Sequence, residues 1–208
     1  MKNMKHILIV CLAVLMASVA APTFALATER TPEVQKAENY LRNLKTAKAR
    51  FIQTTSNGPE LTGDFYLSRP GRLRFEYDDP LDDYIVADGT FIYFYDGDIK
   101  EQSNAPIGQT LADFILRPNI RLTNEDLNIQ RIMHVGDMVQ ITIAQSHDPD
   151  SGTITLGFEK EPYRLKKWRV VDAMGAVTEI ELEDIQTGVK LPKSLFAFIA
   201  PKKEGFND

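Results

Sequence analysis

Apolar and polar positions alternate with a period of two along most of this chain, interrupted by one amphipathic helical stretch and one short apolar one. Val34, Ala37, Leu41 and Leu44 recur at helical spacing, and Thr31-Pro32-Glu33 ahead of them supplies a capping hydroxyl, a proline at the first helical position and a carboxylate near the positive end of the dipole. The pattern predicts a helix ending near residue 44 or 45. Period two then sets in with Ala47, Ala49 and Phe51, predicting a strand over 46–56.

Residues 63–95 carry three or four consecutive strands. Arg69-Pro70-Gly71 pairs a fixed φ with a permissive one, and Asp88-Gly89 is a dipeptide that hairpin turns favour. Between the turns Phe65 and Leu67 share a face, as do Leu73, Phe75 and Tyr77 on the next strand. The alternation fails at Phe91-Ile92-Tyr93-Phe94-Tyr95, where bulk falls on both faces. Apolar material is expected on each side of this strand, a structural core on one and a cavity on the other. A polar edge strand is expected at 99–102.

Thr110 then caps a predicted short helix containing Leu111, Phe114, Ile115 and Leu116, stopped by Arg117-Pro118. It is apolar on nearly all sides. Burying Leu111, Phe114 and Ile115 would stabilise by roughly 1.5–3 kcal/mol each, so this piece must cover something and is expected to be a lid. Strand patterns resume at 127–135, 138–144, 153–158, 165–171 and 177–185, with turns at Gly136-Asp137, 148–152, Glu161-Pro162 and Met174-Gly175. That spacing predicts an antiparallel meander, mainly β with few helices.

Composition narrows the classes. A chain of 208 residues, 43% hydrophobic and 25% charged, is sufficient for one domain with a good core. Its formal charge of -5, without a long Lys/Arg run, argues against nucleic acid. Residues 1–27 read as a signal peptide: Lys2 and Lys5, an apolar run over 7–20, then Ala25-Leu26-Ala27, with cleavage expected before Thr28. The mature domain is then 28–208 and is exported to the periplasm. Cys11 lies inside the apolar run behind Val10, where lipid attachment wants a small residue, so neither a disulfide nor an acyl anchor is expected.

Little in the mature chain could carry catalysis. It has no thiol, and His134 and His147 fit no zinc spacing, so no metal, cofactor or enzymatic activity is expected. Glu179, Glu181 and Glu183 alternate with Ile180 and Leu182 and read as the wet side of a sheet. The unusual feature is the aromatic inventory, eleven Phe and seven Tyr, concentrated in strands and the short helix. A curved sheet could wrap these rings around a lipid-sized hollow, or the rings could fill a closed core. Both arrangements fit the pattern.

The order and spacing of several short motifs resemble the periplasmic outer-membrane lipoprotein carrier family, LolA. They are Phe51-x-Gln53; Gly63-x-Phe65-x-Leu67-x-Arg69-Pro70-Gly71-x-x-Arg74-Phe75-x-Tyr77; Pro80; Val86-x-Asp88-Gly89; Tyr93-x-Tyr95-Asp96; Asp172-x-x-Gly175; Phe196-x-Phe198; and Pro201. The resemblance spans nearly the whole mature chain. It implies an open antiparallel half-barrel of about 10–12 strands, with an α-helical lid over an apolar cavity. Acyl chains would then contact Phe51, Phe65, Leu67, Phe75, Tyr77, Phe91, Tyr93 and Tyr95, under a lid bearing Leu41, Leu111, Phe114 and Ile115. It further implies that Arg69 bonds backbone carbonyls of the lid and latches the empty carrier shut. One departure is Phe75, where the family often has a larger aromatic such as Trp. The implied partners are acylated lipoproteins, an inner-membrane ABC lipoprotein exporter and an outer-membrane receptor, served by a monomer. Another lipid cargo, such as a free glycerolipid or hopanoid, and a non-lipid envelope scaffold are the competing expectations.

Overall fold

In the computed structural model, which describes residues 31–56, 58–108 and 112–199, the Thr31 hydroxyl accepts the Val34 N–H at 3.4 Å and opens helix α1 (Pro32–Asn43). Its stripe of Val34, Ala37 and Leu41 is fully buried. Eleven strands follow among the described residues: β1 (Thr46–Thr55), β2 (Leu61–Ser68), β3 (Arg72–Tyr77), β4 (Tyr84–Asp88), β5 (Phe91–Asp96), β6 (Glu101–Pro106), β7 (Leu127–Val135), β8 (Met138–Gln145), β9 (Gly152–Lys160), β10 (Tyr163–Asp172) and β11 (Val177–Thr187). They form one antiparallel sheet in the order β6-β5-β4-β3-β2-β1-β11-β10-β9-β8-β7. The chain meanders from β1 to one edge, crosses through residues 107–126 to the other, and returns until β11 pairs with β1. With β6 and β7 at opposite ends, the sheet stays open and is not a closed barrel.

Ring contacts reveal how strongly the sheet curls. Strands β2 and β10 are three steps apart, about 14 Å along a flat sheet. Yet the Phe65 and Trp168 ring centroids lie 5.9 Å from one another, and Phe75, one strand further out, is 6.3 Å from Trp168. Such contacts require the two halves to face each other. The concave side holds the main apolar core, into which α1 and the crossing segment insert Leu41, Phe114, Leu116 and Leu122. Gly63 permits the tightest packing: a Cβ there would stand 2.6 Å from Phe51 Cε1 and 2.1 Å from the Glu76 carbonyl oxygen.

Cross-strand register decides which side chains share a face. Ala49, Phe65, Phe75, Ile85 and Phe94 form one concave row, and Ala47, Leu67, Leu73, Ala87 and Ile92 the next. The intervening rows are convex and polar, apart from an aromatic patch at β4 and β5. There the 3-10 turn Lys193–Phe196 packs against β3 and β4, Phe196 is buried, and Phe198 stacks on Tyr93 with centroids 4.4 Å apart. The carboxylates of Glu179, Glu181 and Glu183 also lie on the convex side, where Glu179 bonds Lys167 at 3.0 Å and Arg169 at 2.9 Å.

Several expectations need correction. The edge strand begins at Glu101 and ends at Pro106, because the Asp96 carboxylate accepts the Asp98 and Ile99 N–H groups and holds a turn where a strand was expected. The short apolar helix is a single 3-10 turn, Ala112–Leu116, closed by an Arg117 N–H bond to the Phe114 carbonyl at 3.2 Å. Pro118 explains this, since it disfavours the α region at residue 117 and cannot donate a further helical bond. Thr110 and Leu111, the signal-peptide reading of 1–27 and Cys11 lie outside the described residues.

Candidate functional site

On the concave side, β2 to β6 face β10 and β11 across an apolar cavity of about 250 Å³. Phe65, Phe75, Ile85, Ile92 and Trp168 form most of its wall, and Ile115 from the 3-10 turn covers it. The chain's single tryptophan comes from β10 and stands beside Phe75, so an indole enters the cavity from a strand other than β3. Below the cavity, at the end of the strands away from Arg69, Gln53 also borders a second hollow of about 440 Å³ with Leu61, Tyr77, Phe94 and Ile99. Phe94 and Ile99 are exposed there.

The expected site residues divide by face. Phe65 and Phe75 stand on the cavity wall, whereas Phe51 and Leu67 are fully buried beside it in the core. Tyr77 sits at the lower rim and donates its hydroxyl to Gln53 Oε1 at 2.8 Å. Phe91, Tyr93 and Tyr95 are corrected: they point to the convex side, since Tyr93 pairs with Val86 and Asn104 and Tyr95 with Tyr84 and Gln102. Tyr95 stacks on Tyr84 with centroids 4.9 Å apart. On this strand Ile92 and Phe94 face the cavity instead. Of the expected cover residues, Leu41 and Phe114 are buried in the core, Ile115 reaches the cavity, and Leu111 lies outside the described residues.

Arg69 follows β2 directly and is only 8% exposed. Its Nη1 donates to the Leu41 carbonyl and, at 3.1 Å, to that of Leu44, both at the C-terminal end of α1. Its Nη2 donates to the carbonyls of Arg117 at 2.6 Å and Pro118 at 3.4 Å. One guanidinium therefore joins the end of α1 to the segment that carries Ile115. A planar fork of donors suits four carbonyls in two groups, which a lysine ammonium could not span. Burial pushes the Arg69 pKa down from its ordinary value, but not enough to discharge an arginine. The backbone adds two further ties, Arg69 N–H to the Lys45 carbonyl at 2.8 Å and Gly71 N–H to that of Leu116 at 2.9 Å.

A second tie was missed by the strand and helix patterns. Glu38 is buried in α1 and accepts the Leu122 N–H at 2.8 Å, fastening the crossing segment to the helix. The signal was present: Glu38 falls four residues after Val34 and three before Leu41, on the apolar stripe.

Burial raises the Tyr77 pKa to about 12, so the phenol stays protonated and able to donate at neutral pH. Tyr77→Phe should lower stability by about 1 kcal/mol, readable as a reduced urea midpoint with unchanged slope, because the Gln53 amide loses its partner.

Comparison with known proteins bears on this geometry. Residues 42–199 match the family described as outer membrane lipoprotein carrier protein LolA. The outer-membrane lipoprotein carrier protein of Ralstonia nicotianae is 28% identical over 183 residues, covering 81% of this chain and 84% of its own. That of Methylococcus capsulatus is 28% identical over 190 residues, covering 86% and 88% respectively. Among solved structures, a LolA superfamily protein from Nitrosomonas europaea is similar over 79% of this chain and 96% of its own, at 12% identity and a TM-score of 0.43.

Proposed function

Because the chain belongs to the family of outer membrane lipoprotein carrier proteins, we propose that it shields lipoprotein acyl chains in its concave cavity during their passage through the periplasm. It receives them from an inner-membrane ABC exporter and yields them to an outer-membrane receptor. The observation that carries this reading is the apolar hollow between Phe65, Phe75 and Trp168, covered by a segment that Arg69 ties to α1.

The physical problem is the insolubility of the cargo. Each buried methylene contributes about 0.8 kcal/mol, so one sixteen-carbon chain prefers an apolar site over water by roughly 12 kcal/mol. A triacylated protein cannot cross water unaided. The carrier's difficulty is the opposite one, to hold such chains without keeping them. An engineered cavity of about 150 Å³ holds a benzene, so the 250 Å³ present here accommodates only part of one acyl chain. Loading therefore requires the Ile115 segment to swing away from the sheet. That motion breaks the Arg69 bonds and exposes apolar surface, and both costs are subtracted from the affinity for cargo. The net affinity falls far enough for a receptor to take the cargo without nucleotide hydrolysis.

Native mass spectrometry of the protein purified from periplasm tests the cargo class directly. A triacylated lipoprotein is the expected passenger. A free glycerolipid or hopanoid in its place would make the chain a carrier of another lipid, and failure to bind any fluorescent apolar probe would leave an envelope scaffold whose cavity takes no lipid.

A further inference from the structure

Two adjacent cross-strand rows on the convex side run inward from β7, the last strand of the sheet. Arg131, Thr142, Thr155, Arg169 and Glu179 stand abreast in one; Met133, Gln140, Gly157, Lys167 and Glu181 in the other. All of these but Met133 and Glu181 border a polar groove of about 140 Å³. Lys167 and Arg169 both bond the one Glu179 carboxylate, so three cations face a single anion there, in a chain whose formal charge is -5.

The groove opens beside a sheet edge that no described strand covers. Strand β7 pairs only with β8, leaving the N–H and C=O groups of its outer side without a partner strand among the described residues. Free edges template the addition of another strand, and proteins usually blunt them with proline, charge or brevity. The opposite edge, β6, is blunted in this way: it is six residues long, begins with Glu101 and ends with Pro106, which has no N–H. In contrast, β7 has nine residues, Leu-Asn-Ile-Gln-Arg-Ile-Met-His-Val, with no proline and no acid, and beyond the bulge between Ile129 and Arg131 it runs in regular register from Arg131 to Val135. Its convex positions read Arg131, Met133, Val135, one cation and two exposed apolar side chains.

We propose that β7 is the docking edge for an extended acidic segment of a partner protein, which adds antiparallel as a twelfth strand. Residues directly opposite across such a pair have Cβ atoms about 4.5–5.5 Å apart. A carboxylate opposite Arg131 then sits at the mouth of the cationic groove, and apolar residues two and four positions earlier cover Met133 and Val135. Main-chain bonds supply the affinity of this mode and alternate side chains its specificity. The surface is separate from the cavity and does not depend on what the cavity holds.

The probe is a dye-labelled heptapeptide with blocked ends, Thr-Val-Thr-Val-Thr-Glu-Thr, titrated by fluorescence anisotropy into the full mature chain, with hydrogen exchange of the β7 amides as second readout. It should bind and protect those amides. Arg131→Glu should weaken binding at least tenfold, and the same peptide with lysine in place of glutamate should recover it on that variant, which excludes misfolding as the cause. N-methylation of alternate peptide nitrogens should abolish binding. The proposal is overturned by no binding at millimolar peptide, or by binding indifferent to N-methylation or to Arg131→Glu. It is equally overturned by a dimer in sedimentation that protects β7 without peptide, which would make a second copy the occupant. Binding to phosphatidylglycerol vesicles but not to peptide would assign the groove to a membrane surface instead. Arg131→Glu should take up an apolar probe like the unaltered chain, so the outcome is independent of the carrier reading.

Discussion

Replacing Arg69 by leucine should leave a protein that takes up acyl chains more tightly and releases them more slowly. The substitution removes the donors to four carbonyls, those of Leu41, Leu44, Arg117 and Pro118, in a nearly dry setting. Orphaning buried acceptors costs about 1–3 kcal/mol each, whereas in the open form the same carbonyls meet water. Allowing for relaxation, a shift of about 3 kcal/mol toward the open form is expected, or roughly a hundredfold in the equilibrium. Apparent affinity scales with the population of the binding-competent form, so an apolar fluorescent probe should bind about 10–100-fold more tightly. Transfer of a loaded lipoprotein to receptor-bearing membranes should slow in proportion. Hydrogen exchange should accelerate at the end of α1 and in Ala112–Leu116 while the sheet remains protected. Arg69→Lys should fall between the two, since a point charge reaches one pair of carbonyls but not both. Unchanged transfer by Arg69→Leu would remove the latch from the mechanism.

Ala105→Trp should abolish acyl binding in a chain that still folds. Ala105 lines the cavity from β6, opposite Ile92, and lies on an edge strand free to move outward by a small amount. An indole there would occupy much of the 250 Å³. Overpacking costs typically about 1–3 kcal/mol, which an eleven-stranded sheet can absorb. Probe affinity should fall more than tenfold. Asn104→Trp provides the control, because Asn104 pairs with Tyr93 on the convex side and its indole would never reach the cavity. Equal losses in both variants would show that strand damage, not occupancy, was responsible.

Local rules were sufficient for elements with one apolar and one polar face, though not for the polar edge strand β6, whose start the Asp96 turn displaced. The limits of α1 follow from Thr31-Pro32 and the stripe ending at Leu44, and β7 runs from Leu127 to Val135 as its alternation predicts. Parity failed where both faces were apolar. In β5 bulk falls on both faces, and Phe91, Tyr93 and Tyr95 are the expected cavity set. The structure reverses this, because β5 must align Ile92 with Ala87 and Phe94 with Ile85, and because Phe198 returns to cover the other side.

Residue types and their spacing thus determined an antiparallel meander with one amphipathic helix and an aromatic excess in the strands, while the carbonyl-binding role of Arg69 came only from the family resemblance. These are properties of neighbours within a few residues, which sterics and periodicity govern. Only the tertiary structure decided that the sheet curls until Phe65 meets Trp168 from three strands away, which rings enclose the hollow, and that Arg69 joins α1 to the segment beyond Leu116. The reason is that curvature and register are set by contacts between residues about a hundred positions apart, and an alternating strand presents the same pattern whether its sheet is flat, closed or cupped around a cavity.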